Sequence, residues 1–179
     1  MAKISPLMIL PPVIFAGLAL MFWVGMNRSN PDALPSQLVG HAAPAVVLTP
    51  LGDGAPFTDA TLRDGKVKIV NFWASWCEPC RAEASDLRKM ADQGITIYGV
   101  NYKDKPADAL GFLASVGDPF AAMGADVAGS MALNWGVYGV PETYVIDGKG
   151  KVLLRLPGPI VGDVFDTVVK PGLDKAAQD

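Results

Sequence analysis

The chain has two cysteines, three residues apart in Trp76-Cys77-Glu78-Pro79-Cys80. Thiols at this spacing suit a small set of chemistries. A tetrahedral zinc site takes about four ligands, and with His41 as the one histidine the chain offers three Cys/His side chains in all. Covalent haem attachment needs a histidine directly after the second cysteine, where this chain has Arg81. A purely structural disulfide closing so short a loop would constrain the unfolded chain very little. A redox dithiol remains. In that reading Cys77 sits at a helix N-terminus, where the dipole and free N–H groups stabilise a thiolate, and it is the attacking and exposed sulfur. Cys80, one turn further in, resolves the mixed disulfide.

That chemistry needs a strand and a helix meeting at the cysteines. Val67 to Ala74 (VKIVNFWA) is a mostly apolar run suited to a strand buried on both faces. Pro79 to Gln93 reads as a helix with Ala84, Leu87 and Ala91 at core spacing, stopped by Gly94. Ile95 to Val100 is a second strand, so strand, helix and strand form a right-handed parallel unit. Pro106 to Val116 is another helix. Thr143–Ile146 and Lys151–Leu156 flank the turn Asp147-Gly148-Lys149-Gly150 as a hairpin. A last helix is expected from about Ile160 to Lys170, ended by Pro171-Gly172. Ala45–Thr49 and a segment near Phe57 are expected to pair across Gly52-Asp53-Gly54. The fold class is α/β, with a central mixed sheet and helices on both faces.

The remaining sequence lies before this domain. Mean hydropathy is +0.28 over 179 residues, and the excess sits in Ile4 to Met26, 23 residues without a charge. Leu7 to Met26 is long enough to cross a bilayer. No small-x-small cleavage site follows, so it reads as an uncleaved anchor, kinked at Pro11-Pro12, rather than a cleaved signal. Lys3 and the α-amino group before the span, against Arg28 after it, mildly favour a cytoplasmic N-terminus and an exported domain. The expected organisation is a cytoplasmic N-terminus (1–6), a transmembrane anchor (7–26), a linker (27–37), the domain (38–172) and a tail (173–179). Beyond Asp32 the net charge is −4, with no basic run, so nucleic acid is not an expected partner. Composition also excludes disorder, collagen and a multispan membrane protein.

Three segments carry a resemblance. Asn71-Phe72-Trp73-Ala74-Ser75-Trp76-Cys77-Glu78-Pro79-Cys80-Arg81-Ala82-Glu83 resembles the active-site segment of thioredoxin-fold proteins of the TlpA/ResA/CcmG group. Tyr98-Gly99-Val100-Asn101-Tyr102-Lys103-Asp104 and Gly136-Val137-Tyr138-Gly139-Val140-Pro141-Glu142-Thr143-Tyr144-Val145-Ile146-Asp147 are similar to the CcmG (DsbE) thiol:disulfide interchange proteins of cytochrome c maturation. The likeness covers about residues 38–172. It implies a thioredoxin fold with an N-terminal β-hairpin extension, and a cis Val140-Pro141 bond facing the dithiol.

The resemblance also implies a site. Cys77, Cys80, Glu83, Pro141 and Glu142 would serve catalysis, and Trp76, Glu78, Pro79, Val140 and Pro141 would meet the substrate. On residue type alone Glu83 reads as an exposed helix carboxylate and Glu142 as a loop charge. Thioredoxin carries a buried Asp where this chain has Asn71, which leaves Glu83 as proton acceptor for Cys80. Nearby carboxylates at Glu78, Glu83 and Glu142 disfavour thiolate and make the pair a reductant. No cofactor beyond the Cys77–Cys80 disulfide is expected.

The implied partners are an apocytochrome c with its C-x-x-C-H site, or a thiol-bearing maturation protein, with electrons returned by a CcdA/DsbD-type membrane thiol reductase. The implied location is the inner membrane, single-pass, with the domain in the periplasm. Rival readings are a TlpA-like reductant for oxidase copper-site assembly and a non-catalytic apocytochrome-docking module. Trp73 and Trp76 are expected beside the dithiol. Trp135 and Tyr138 are expected in the groove or the core, His41 at the surface, and Met123 and Met131 as core fillers.

Overall fold

A computed structural model describes residues 6–26 and 37–177. The residues before 6, most of the expected linker and the last two residues lie outside the described part. The chain divides into two units, Met1–Pro35 and Ser36–Asp179. The first holds α1 (Pro6–Met26), one helix that includes Pro11 and Pro12. Its stretch Ile9–Met26 is long and apolar enough to cross a membrane, and the side chains from Ile9 onward are exposed.

The second unit is built on five strands: β1 (Lys68–Trp73), β2 (Ile97–Tyr102), β3 (Ala122–Asp126), β4 (Glu142–Ile146) and β5 (Val152–Pro157). Their order is β3-β2-β1-β4-β5. β2 pairs parallel to β1 and to β3, whereas β4 is antiparallel to β1 and to β5. Every residue of β1 is buried, which is why its sequence is mostly apolar rather than alternating, with Lys68 and Asn71 as buried polar exceptions.

Alternate β1 side chains serve opposite faces. Val70 and Phe72 join Tyr98, Trp135 and Tyr144 in one cluster, with Phe57 and Leu62 from the N-terminal segment. Ile69 packs with Leu87 and Met90 of α3 (Glu78–Asp92) and with Ile160 and Val169. Trp73 joins Phe112 and Leu113 of α4 (Pro106–Val116) around the two cysteines. Two short helices complete the unit's first face, α2 (Asp59–Leu62) and α5 (Ser130–Asn134).

Three expectations need correction. The N-terminal β-hairpin does not form; what remains of it is one bridge, Leu51 to Gly54. The segment instead spends its backbone bonds on the sheet: Gly40 and Ala43 donate to Val152 and Gly150, and Thr49 exchanges bonds with Ala125 of β3. It runs as a strap from one sheet edge to the other. Gly124 lets it lie close, because a Cβ there would stand 2.8 Å from Leu48 and Pro56.

The last helix is also displaced. A π-helical turn, Phe165–Val169, feeds α6 (Lys170–Ala176), so Pro171-Gly172 lies inside it. Pro171 occupies the first turn, where no intrahelical N–H is required. Finally, β3 was not expected. Its sequence Ala-Met-Gly-Ala-Asp has little β propensity, and it forms because β2 and the strap supply partners on both sides.

Candidate active site

The dithiol sits at the strand-to-helix junction. Cys77 is the N-cap of α3 and accepts a hydrogen bond at Sγ from the Cys80 N–H, 3.1 Å. The two sulfurs are bonded to each other, and both residues are buried, which corrects the expectation of an exposed Cys77: the Val140 carbonyl lies against its sulfur. A 15-residue helix therefore directs its N-terminal N–H groups at the Cys77 sulfur, the arrangement that stabilises thiolate.

Helical spacing fixes what lies behind it. Cys80, Glu83 and Leu87 follow at i, i+3 and i+7, so they share one face of α3. Glu83 is fully buried and has no cationic partner among the described residues. Its Oε1 accepts from the Asn71 amide at 3.0 Å and its Oε2 from the Ile160 N–H at 2.8 Å. Asn71 also donates to Thr143, its direct neighbour on β4. Burial pushes the Glu83 carboxyl up to about 7, against the pull of the Ile160 and Asn71 bonds. Asn71, Trp73, Cys80 and Glu83 line one small cavity of about 10 Å³, near the size of a single water.

The other half of the site comes from the loop before β4. The Val140–Pro141 bond is cis, and the Val140 carbonyl oxygen stands 3.4 Å from Cys77 Sγ. In the reduced protein that carbonyl is placed to accept an S–H. Glu142 follows, fully buried like Glu83. Its Oε1 pairs with Arg155 Nε and accepts from the Tyr144 hydroxyl, each at 2.5 Å. Burial and the Glu142 carboxylate push the Tyr144 hydroxyl well above its ordinary value. Glu142 is therefore not the loop charge its residue type suggests but a buried, paired residue of β4. Its hydrogen bonds lie along β4 and β5, and Arg155 balances it.

The remaining residues singled out from the sequence lie around this junction, in the core or at the surface. Glu78 and Pro79 are exposed in the first turn of α3. Trp76 is 59% exposed, with its indole N–H donating to the Lys103 carbonyl, 3.1 Å. Trp73 is buried between Phe112 and Phe120 beside the sulfurs. Trp135 belongs to the core, and Tyr138 is exposed. His41 is at the surface and Met131 is buried.

Sequence reasoning missed the group that braces the cysteine loop from the other side. Asp104 accepts from the Ser75 N–H (2.6 Å), the Ser75 hydroxyl (2.8 Å), the Asn101 amide (3.0 Å) and the Lys105 N–H (2.8 Å). Burial pushes its carboxyl up, but these bonds together prevail and hold it below the usual range. The bond to Lys105 is local and legible, because an Asp just ahead of a helix readily caps its own backbone. The bonds to Ser75 span 29 positions and no local signal announces them. Beside Trp76 an open cleft runs along Ser75, Lys103, Lys105 and Val127.

A buried strand ending in a helix-capping Cys-x-x-Cys, faced by a cis-proline loop, defines a thioredoxin-like thiol:disulfide oxidoreductase. Residues 38–164 match the redoxin family. The chain is 52% identical over 171 residues to the thiol:disulfide interchange protein HelX of Rhodobacter capsulatus, covering 96% of each. It is 47% identical to the DsbE homologue of Paracoccus denitrificans, covering 98% of each. A thioredoxin-family thiol:disulfide interchange protein from Chlorobium tepidum superposes with a TM-score of 0.59 at 30% identity, over 79% of this chain and 99% of that one. The chain belongs to the redoxin family, among the thiol:disulfide interchange proteins of the DsbE/HelX kind.

Proposed function

We propose that the protein is held in the inner membrane by α1 and reduces disulfides on the periplasmic side in the service of cytochrome c assembly. The substrate is the C-x-x-C-H disulfide of an apocytochrome c, or that of a thiol-bearing maturation protein that relays to it. The Cys77 thiolate attacks one substrate sulfur, forming a mixed disulfide and releasing the other as a thiolate. Cys80 gives its proton to Glu83, directly or through one water, and attacks Cys77 Sγ. The substrate leaves with two electrons and the Cys77–Cys80 disulfide is restored. A CcdA/DsbD-type membrane thiol reductase then returns the dithiol. The unbonded backbone at Val140 and the cleft beside Trp76 offer an extended substrate segment a place to lie.

One observation supports the direction of flow: Glu83 is buried on the Cys80 side of the disulfide, with no cation among the described residues to balance it. A carboxylate there disfavours a thiolate in the reduced pair, and a less stable reduced form is a stronger reductant. Equilibration with dithiothreitol or glutathione tests this. The expected potential lies well below −150 mV, and a value near or above about −150 mV refutes the reductant reading. Cys80→Ser traps the mixed disulfide and identifies the partner. If Cys77→Ala with Cys80→Ala still supported cytochrome assembly, the domain would instead be a docking module.

A further inference from the structure

Arg155 on β5 holds the loop that faces Cys77 through three kinds of contact. Its Nε donates to Glu142 Oε1 at 2.5 Å, and its Nη2 donates to the Gly136 carbonyl at 2.8 Å. Its guanidinium lies over the Tyr138 ring, 4.9 Å from the centroid. The side chains of Arg155 and Glu142 are 8% and 1% exposed, so this is a built interior contact.

What lies between these contacts has few backbone bonds of its own. The Val137 N–H donates to Ala132, and the Pro141 carbonyl accepts from Gly158. Among the described residues, no backbone hydrogen bond holds Tyr138, Gly139 or Val140. Yet the Val140 carbonyl stands 3.4 Å from Cys77 Sγ. A three-residue ledge thus lies against the attacking sulfur, its backbone positioned by its flanks and by the packing of the Val140 side chain against the core. Gly136 is the near flank, Glu142 the far one and Tyr138 the ledge's own first residue. Arg155 touches all three.

We propose that Arg155 is a positioning residue for disulfide exchange, its guanidinium fixing the 138–140 ledge against Cys77 so that a substrate backbone finds it preformed. The fork is essential. One N–H meets a carboxylate, another meets a carbonyl, and the flat face rests on a ring. Lysine offers a single ammonium that satisfies Glu142 and leaves the other two contacts unmade. The inference rests on the disulfide-exchange activity alone, and stands whichever way electrons flow and whoever the partner is.

The test compares two oxidised substrates with the full chain in detergent: a peptide closed by an intramolecular disulfide, and hydroxyethyl disulfide. The peptide has a backbone to lay on the ledge, whereas the small disulfide needs only the sulfur. Arg155→Lys keeps a cation beside Glu142 and is expected to lower kcat/KM for the peptide about tenfold, chiefly through KM, with hydroxyethyl disulfide within about twofold of wild type. Tyr138→Leu, at a position 58% exposed where folding is not at stake, removes only the ring face. Its expected effect is a rise in peptide KM of about threefold with the small disulfide unaffected. Peptide kinetics unchanged in Arg155→Lys overturn the proposal. Equal losses on both substrates in either variant also overturn it, since the effect would then lie at the sulfur or in the fold.

Discussion

Replacing Glu83 with Gln should change how stability depends on pH as well as stability itself. The carboxyl has an ordinary value of 4.5 and is pushed to about 7 by burial. A folded-state value above the unfolded one means the native state keeps a proton that the unfolded chain gives up. The associated stability is fully present below 4.5 and is lost as pH rises through about 7. At about 1.36 kcal/mol per unit, the 2.5-unit gap amounts to about 3 kcal/mol between pH 4 and pH 8. Gln is neutral throughout. It still accepts from Asn71 but turns an NH₂ toward the Ile160 N–H, a pH-independent cost of about 1–3 kcal/mol. The assay is urea unfolding of the oxidised protein at one-unit steps from pH 4 to 8, wild type against Glu83→Gln. Every other titrating group is shared and cancels in the difference. The wild type should be favoured by about 1–3 kcal/mol at pH 4 and fall by about 3 kcal/mol relative to the variant by pH 8, which cancels or reverses the difference, most steeply between pH 5 and 7. Two curves that run parallel across this range would refute the assignment of Glu83 as a strained, uncompensated carboxyl.

Other consequences are as direct. Asp104→Ala leaves the Ser75, Asn101 and Lys105 donors without their acceptor. It should destabilise the domain by about 1–3 kcal/mol in urea and speed alkylation of reduced Cys77. Because Asp104 is held below its usual range, its contribution is present above that range and lost as pH falls, so Asp104→Asn should flatten the acid limb of the stability curve. Trp135→Ala opens the core at a fully buried indole, with an expected cost of about 3–5 kcal/mol in the midpoint of unfolding. Gly148→Ala places a Cβ 2.6 Å from the Gly65 carbonyl carbon, which is backbone and cannot swing aside; a loss of at least about 1–3 kcal/mol is expected by thermal melting.

The chemistry was legible because it is local. Two residues separate the two cysteines, the strand before them is mostly apolar, and the helix after them shows its own periodicity. What escaped is set by contacts distant in sequence. Glu83 carries no local sign of burial; it is drawn in by Asn71, 12 positions back, and Ile160, 77 positions on. Arg155 escaped in the same way. It lies within an expected strand, and nothing local shows that its side chain is mostly enclosed or that Gly136 and Tyr138, from the loop before β4, meet it. A loop with Gly150 at φ 84° and an irregularity after Val145 set the register so that it faces Tyr144. The guanidinium then reaches along the strand to Glu142. The N-terminal pair of strands failed as an expectation because alternation and turn residues reveal only that a segment is extended. They do not say which neighbour it will bond.

That N-terminal strap bears on how many copies of the domain can lie side by side. An open five-stranded sheet ends in two rows of backbone donors and acceptors, and these are the lines along which identical chains zip together. The strap fastens itself to one point on each: Thr49 takes both backbone groups of Ala125, and Gly40 and His41 take those of Val152. Leu48 and Pro56 lie over Gly124 on the first of these borders. A neighbouring copy seeking to extend the sheet meets an occupied position at either end. Proteins kept crowded in one plane face that hazard continuously, and here roughly the first twenty residues of the domain act as a selvedge that keeps the weave from running on into the next copy.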